Sequence, residues 1–167
     1  FAAPLHRIAS TLKLQDAHDE IASRGHTHQA VVHTQERTPA TALLAEQLGL
    51  QEGCTVFHTL IVHHDNGAPL QCEDRYVNPS CVPDYLDHDF TQITPTQVLF
   101  ERTALWRAQY TIQAETPTTQ ESQLLGVSAN SPCLVILRRT FTRSAVITLA
   151  RLVHPGSRYV LQGEFQL

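Results

Sequence analysis

The sequence predicts an α+β domain with one mixed, largely antiparallel sheet flanked by helices. Three observations carry this expectation. Segments of alternating apolar residues interleave with capped helical segments along the chain. Consecutive strand-like runs at the centre and near the end are joined by short turns, so they pair most easily as antiparallel neighbours. The 167 residues are 42% hydrophobic and 17% charged, which suits the core of one domain and leaves no room for a second.

The elements follow in chain order. Residues 1–14 are mildly apolar without a clear period and read as a linker, leaving 15–167 for the domain proper. Asp16 is placed to cap a short helix, Asp19 and Glu20 suit its N-terminus, and Gly25 offers a left-handed stop. Residues 28–38 (HQAVVHTQERT) alternate as a half-buried strand. Residues 40–50 form an amphipathic helix with Leu43, Leu44 and Leu48 on one face and Gly49 at its end. A strand over 54–64 (CTVFHTLIVHH) leads into a tight Asn66-Gly67 turn and a return strand, the strongest short-range hairpin signal in the chain. Residues 83–105 offer two short helices divided at Pro95, because proline opens a helix well but cannot sit inside one. Residues 106–118 alternate as a strand, 118–127 form a capped helix stopped by Gly126, and 132–142 with 145–165 close the chain as strands around a turn near Arg143 and Ser144.

Composition excludes several functions. No apolar run approaches the roughly 20 residues of a membrane helix, and the N-terminus lacks a signal-peptide pattern, so a cytoplasmic protein is expected. The chain begins at Phe1 and has no Met, which leads us to expect a fragment of a longer protein. A net charge of −4 with 12 Lys plus Arg is poorly suited to neutralising a phosphate backbone. Four cysteines without a CxxC pair point to reduced thiols rather than a disulfide scaffold, and Cys72 and Cys133 fall in strands where an inert thiol is expected. Ten histidines raise the question of a metal, but tight ligand spacing is missing even where His26 and His28 would share a face, and neither a metal nor a cofactor is expected. Nucleophile-elbow, phosphate-loop and HExxH motifs are absent as well.

The most informative stretch runs from Ile61 to Pro79. Strand alternation puts Gln71, Glu73 and Arg75 in one polar row, with Leu70, Cys72 and Asp74 facing the other way. Glu73 and Arg75 can satisfy one another as a structural pair, or hold the two ends of a small molecule bearing a donor and a carboxylate. Arg138 and Arg139 must face opposite sides of their strand, so at most one of them enters a pocket.

With these residues the chain resembles the histidine-utilisation repressors of the GntR regulator family, in their C-terminal effector-binding (UTRA) domain. The blocks that carry the resemblance are EIASRGHTH (20–28), HHDNGAPLQCEDRYVNP (63–79), PDYLDHDFTQITP (83–95), PCLVILRRTF (132–141) and HPGSRYVLQGEF (154–165). The resemblance implies a fold shared with chorismate lyase and a preceding winged-helix DNA-binding domain. It also implies a homodimer, for which an exposed strand edge could serve, and urocanate as the small-molecule effector that releases operator DNA. Carried over by motif, ligand contacts fall on His63, Glu73, Thr94 and Tyr159, although Tyr159 could equally be a core aromatic with a partner for its hydroxyl. On chemical grounds Arg75 and Arg139 join them as partners for the ligand carboxylate. One departure concerns specificity: where the family tends to carry a Glu-His pair, this chain has Gln109-Tyr110. Kinship of fold with chorismate lyase also raises an enzyme acting on a small carboxylate as the alternative, although fold alone does not carry function.

Overall fold

Six strands, β1 (His28–Pro39), β2 (Thr55–Asp65), β3 (Ala68–Val77), β4 (Arg107–Glu115), β5 (Cys133–Phe141) and β6 (Val146–Pro155), form one sheet in the order β1-β2-β3-β6-β5-β4. Each of the five pairings is antiparallel. Two three-stranded meanders therefore meet at the β3–β6 seam, which puts the polar row of β3 near the centre of the sheet. The computed structural model describes residues 16–164 and 166–167, so the linker expected over 1–14 lies outside the described residues.

Local chemistry explains the element boundaries. Asn66 and Gly67 both take positive φ, 47° and 85°, and the resulting two-residue turn matches the right-handed twist of β2 and β3. Helix α1 (Ala17–Ser23) opens with the Asp16 carboxylate accepting from Asp19 N at 2.8 Å. Helix α2 (Ala42–Leu48) is capped by Thr41 and ends at Gly49, whose φ of 66° any residue with a Cβ resists. Helix α3 (Pro95–Arg102) has Pro95 in its first turn and a reciprocal Thr94/Gln97 capping box, and α4 (Thr119–Leu125) has the same device in Thr118/Glu121. The first of the two helices expected over 83–105 is a single 3-10 turn at Tyr85–Asp87.

The sheet buries both faces. On one, α2 supplies Leu44, Ala45 and Leu48 against Val56, and α4 places Leu125 among Leu60, Val62, Cys72, Cys133, Val135 and Val153. Each fully buried Leu or Val contributes about 1.5–3 kcal/mol relative to an exposed one. The other face is closed by the 3-10 turn, α3 and α1, with Tyr85, Phe90, Val98 and Leu99 packed on Phe57, Ile61 and Val77. All four cysteines are free, with Cys72 and Cys133 buried, and burial first of all pushes the Cys72 thiol up to about 12.

Two expectations are corrected here. Leu43 does not join Leu44 and Leu48 on the buried face: it is 65% exposed, and Ala45 takes the inward position because the helix meets the sheet one residue out of phase with the apolar pattern. The last strand ends at Pro155, where Arg158 N turns back onto the Pro155 carbonyl, and the chain beyond is irregular.

Candidate functional site

Gln71, Glu73 and Arg75 lie on the sheet face closed by α1 and α3, and all three are buried. Glu73 is held from both sides. Arg75 Nε donates to its Oε2 at 2.9 Å, and His63 Nε2, reaching across from β2, donates to its Oε1 at 3.0 Å. Arg75 extends the network inward through Nη1 to Thr148 Oγ1 at 3.3 Å, and Thr148 meets Thr140 at 2.7 Å. Outward, His63 Nδ1 lies 2.8 Å from His28 Nε2, and His28 Nδ1 lies 3.2 Å from His18 Nδ1. One hydrogen-bonded line thus runs from the exposed His18 on α1 across β1, β2, β3 and β6 to β5. Because the carboxylate fixes the His63 proton on Nε2, His63 Nδ1 accepts from His28 and His28 Nδ1 accepts from His18.

The electrostatics follow from burial set against charge partners. Burial opposes ionisation of Glu73, but Arg75 and the hydrogen bond from His63 outweigh it and hold the carboxyl well below the usual range. For Arg75 burial favours the neutral form, and the Glu73 charge overcomes it and raises the guanidinium. His28 is driven down to about 4 by burial, then by His63 and His18, so it is neutral near pH 7. Arg138, buried on the same face, is shifted down by burial and then by the like charge of Arg75, which it feels more strongly than the opposite charge of Glu73. Arg75 Nη2 is buried with no hydrogen-bond partner among the described residues. The face therefore carries two buried guanidiniums, Arg75 and Arg138, with Glu73 already held by Arg75 and His63, and the unpartnered Arg75 Nη2 can donate to a further anion.

A second limb starts at Gln71. Its Nε2 donates to His154 Nε2 at 3.0 Å, leaving His154 Nδ1–H to donate to the Leu134 carbonyl at 3.0 Å. Burial lowers His154 to about 4, consistent with that neutral tautomer. Tyr159 stacks on the His154 ring with centroids 3.9 Å apart, and its hydroxyl donates to Glu20 Oε1 at 3.4 Å. Two clefts open beside these limbs. One of about 200 Å³ is lined by His18, His28, Phe90, Thr94 and Gln97, and a broader one of about 710 Å³ by Glu20, Arg24, His26, Asp65 and Tyr159 among others.

Of the six residues singled out in the sequence, the structure brings His63, Glu73 and Arg75 into direct contact. Thr94 lines the smaller cleft with His28 while its hydroxyl donates to Asp16, and Tyr159 joins through His154 and Gln71. Arg139 is a correction. It points to the opposite face, where Nη2 donates to the Gln47 carbonyl at the end of α2 at 2.8 Å, and Arg138 takes the inward position beside Tyr110. Local patterning does not place His18, His28 or His154 at the row: the β1–β2 and β3–β6 registers bring His28 and His154 there, and the packing of α1 beside β1 brings His18. His26 precedes β1 and binds Asp65 at 2.6 Å instead of sharing the environment of His28. Among the described residues no group of three or more His, Cys, Asp or Glu side chains is arranged to hold a metal.

An antiparallel sheet that buries a charged relay beneath short helices and turns defines an α+β domain with a polar interior face. The UTRA domain model matches residues 23–160, and the chain belongs to that family. A histidine utilization repressor of Pseudomonas putida is 42% identical over 165 residues, 99% of this chain and 66% of that protein. The chain thus spans just under two thirds of the length of this curated relative. The crystal structure of the C-terminal domain of a histidine utilization repressor from Pseudomonas syringae superposes with a TM-score of 0.83 at 40% identity, covering 84% of this chain and 100% of that one. The effector domain of PhnF from Mycobacterium smegmatis shares the fold, with a TM-score of 0.84 at 18% identity over 93% of this chain and 98% of its own. These relatives are named as transcriptional repressors and regulator effector domains, the class expected of a non-enzymatic sensor and not of a lyase. Among the described residues no helix is long and apolar enough to cross a membrane.

Proposed function

We propose that this chain is the effector-binding domain of a cytoplasmic GntR-family repressor of histidine utilisation, and that its effector is urocanate or a closely related small carboxylate. The observation that carries this reading is the pair of buried guanidiniums, Arg75 and Arg138, on the sheet face that buries Glu73, with a spare Arg75 Nη2 and an imidazole relay at hand. Urocanate is planar and carries a carboxylate at one end and an imidazole at the other. Its carboxylate meets Arg138 and the spare N–H of Arg75, and its ring exchanges hydrogen bonds along the His28–His63–Glu73 line. Tyr110, beside Arg138, stands where the family tends to carry histidine and tunes which carboxylate is preferred.

In the longer protein the ligand biases the arrangement of two protomers and so the spacing of their winged-helix domains on the operator. By linkage the effector binds the DNA-free arrangement more tightly, with a coupling of about 1–3 kcal/mol. Calorimetry with urocanate, histidine and imidazolepropionate in parallel tests the ligand. Urocanate is expected to bind with a micromolar Kd or tighter, about −8 kcal/mol. Absence of saturable heat and of a thermal shift with urocanate would remove it as the effector, and saturation by one of the other two would reassign the site.

A further inference from the structure

We infer that the cleft between the end of α2 and the β5–β6 turn is a second ligand site, built for a small aromatic dianion. It lies on the sheet face opposite the candidate effector site. The cleft has a volume of about 300 Å³, and Leu48, Gly49, Trp106, Arg107, Phe141 and Arg143 are among the residues that line it. In the β4–β5 register Arg107 is opposite Phe141 and Gln109 is opposite Arg139. Strand alternation therefore puts Arg107, Arg139 and Phe141 on one face, the face on which Arg139 reaches the Gln47 carbonyl of α2. Glu73, Arg75 and Arg138 face the other way, so one sheet separates the two sites.

The ligand class follows from what the cleft leaves unspent. The Arg107 guanidinium lies 4.0 Å from the Phe141 ring centroid and 5.7 Å from that of Trp106, and Arg143 lies 5.1 Å from the Trp106 centroid. A guanidinium stacked over a ring still presents the N–H groups of its planar edge. Neither side chain meets a carboxylate or donates a hydrogen bond among the described residues, whereas Arg24, Arg102 and Arg151 each find an acidic partner. Arg139, 5.1 Å from the Phe141 centroid, gives two nitrogens to Gln109 and Gln47, yet its Nε is buried without a partner. One carboxylate satisfies one guanidinium fork, so two free forks call for a ligand with two negative charges. Leu48, Phe141 and Val146 beside the half-exposed Trp106 indole call for a flat carbon body on that ligand. An aromatic phosphate monoester and an aromatic dicarboxylate share this chemistry.

Trp106 is the one tryptophan of the chain, so its fluorescence reports on this cleft. The 167-residue chain is titrated with phenyl phosphate, isophthalate, benzoate and inorganic phosphate. A saturable change in Trp106 emission is expected with phenyl phosphate, isophthalate or both, and the one that saturates tells phosphate from carboxylate. Benzoate lacks the second charge and inorganic phosphate lacks the carbon body, so each should bind at least about tenfold more weakly. Arg107→Gln, and Arg143→Gln on its exposed turn, should each raise the dissociation constant of the bound dianion at least about tenfold, with thermal melts confirming that both fold. Arg102→Gln removes the same charge from a pair with Asp84 and should leave that constant unchanged. Excess urocanate should not displace the dianion in calorimetry, whether or not urocanate proves to be the effector. No saturable change with either dianion, equal binding by benzoate or inorganic phosphate, an equal loss in Arg102→Gln, or displacement by urocanate would each overturn the site.

Discussion

The side chain that organises the site is Glu73, and its environment shows why a buried ion pair need not be only structural. Arg75 Nε and His63 Nε2 occupy one oxygen each, so the carboxylate is satisfied while Arg75 keeps an unpartnered N–H and Arg138 adds a second buried cation. Which of Arg138 and Arg139 faces inward could not be read from alternation, which says only that the two part company. If Arg138 anchors the ligand carboxylate, Arg138→Met should weaken urocanate binding by roughly 1.5–3 kcal/mol, the worth of a charged hydrogen bond, while Arg139→Met should leave affinity unchanged in the same titration. Equal losses in both would dismiss Arg138 as the anchor. His154 gives a separate, ligand-free prediction. Its folded pKa of about 4 lies below the ordinary 6.5, so the unfolded chain binds more protons between those values. The stability it contributes is full above about pH 6.5 and is lost as pH falls toward 4, on the order of 3 kcal/mol in all. Denaturant titrations across that range should show a shallower loss in His154→Gln than in the wild type.

At the scale of elements, much of the architecture was legible because its signals are local. The Asn66-Gly67 turn, the Thr41, Thr94 and Thr118 caps and the Gly49 and Gly126 stops each act within a few residues of themselves. What escaped depends on partners distant in sequence. Leu43 against Ala45 is decided by the angle at which α2 meets the sheet, and His28 reaches His63 only through the β1–β2 register. Residues 156–164 carry a strand-like pattern, yet Tyr159 leaves the sheet to stack on His154. Thr94 shows how one residue serves two levels: its hydroxyl accepts from Gln97 N as the cap of α3 and donates to Asp16, the cap of α1. Removing it should therefore loosen two helix starts that border the smaller cleft. Thr94→Ala is expected to cost about 1–2 kcal/mol in chemical denaturation, whereas Thr94→Ser should lie within about 0.5 kcal/mol of wild type. A destabilisation of Thr94→Ser as large as that of Thr94→Ala would count against the capping role, whereas a loss of urocanate affinity in Thr94→Ser at unchanged stability would add a ligand contact that requires the methyl group.

Across the whole molecule, the distribution of charge decides what the domain can touch. The net charge is −4, and several of its 12 basic residues are committed internally: Arg75 to Glu73, Arg151 to Glu121, Arg102 to Asp84, Arg24 to Asp65, and Arg158 to the carbonyls of Pro69 and Leu125. Arg138 is buried, so it is no more available to a phosphate than Arg75. Affinity for duplex DNA grows with the number of phosphates that surface cations neutralise and falls steeply with salt. Few cations among the described residues are both exposed and unpaired, and the chain as a whole carries a surplus of carboxylates. The isolated chain is accordingly expected to show no sequence-selective, salt-dependent binding to operator DNA in a mobility-shift titration. A longer protein carrying a winged-helix domain should bind the same DNA and release it with effector. Protection of operator DNA by the isolated chain at physiological salt would break this division of labour. Arg107 and Arg143, which lie over the half-exposed Trp106 ring, would then be the first residues to replace, since a uniform loss across DNA sequences would mark them as phosphate contacts.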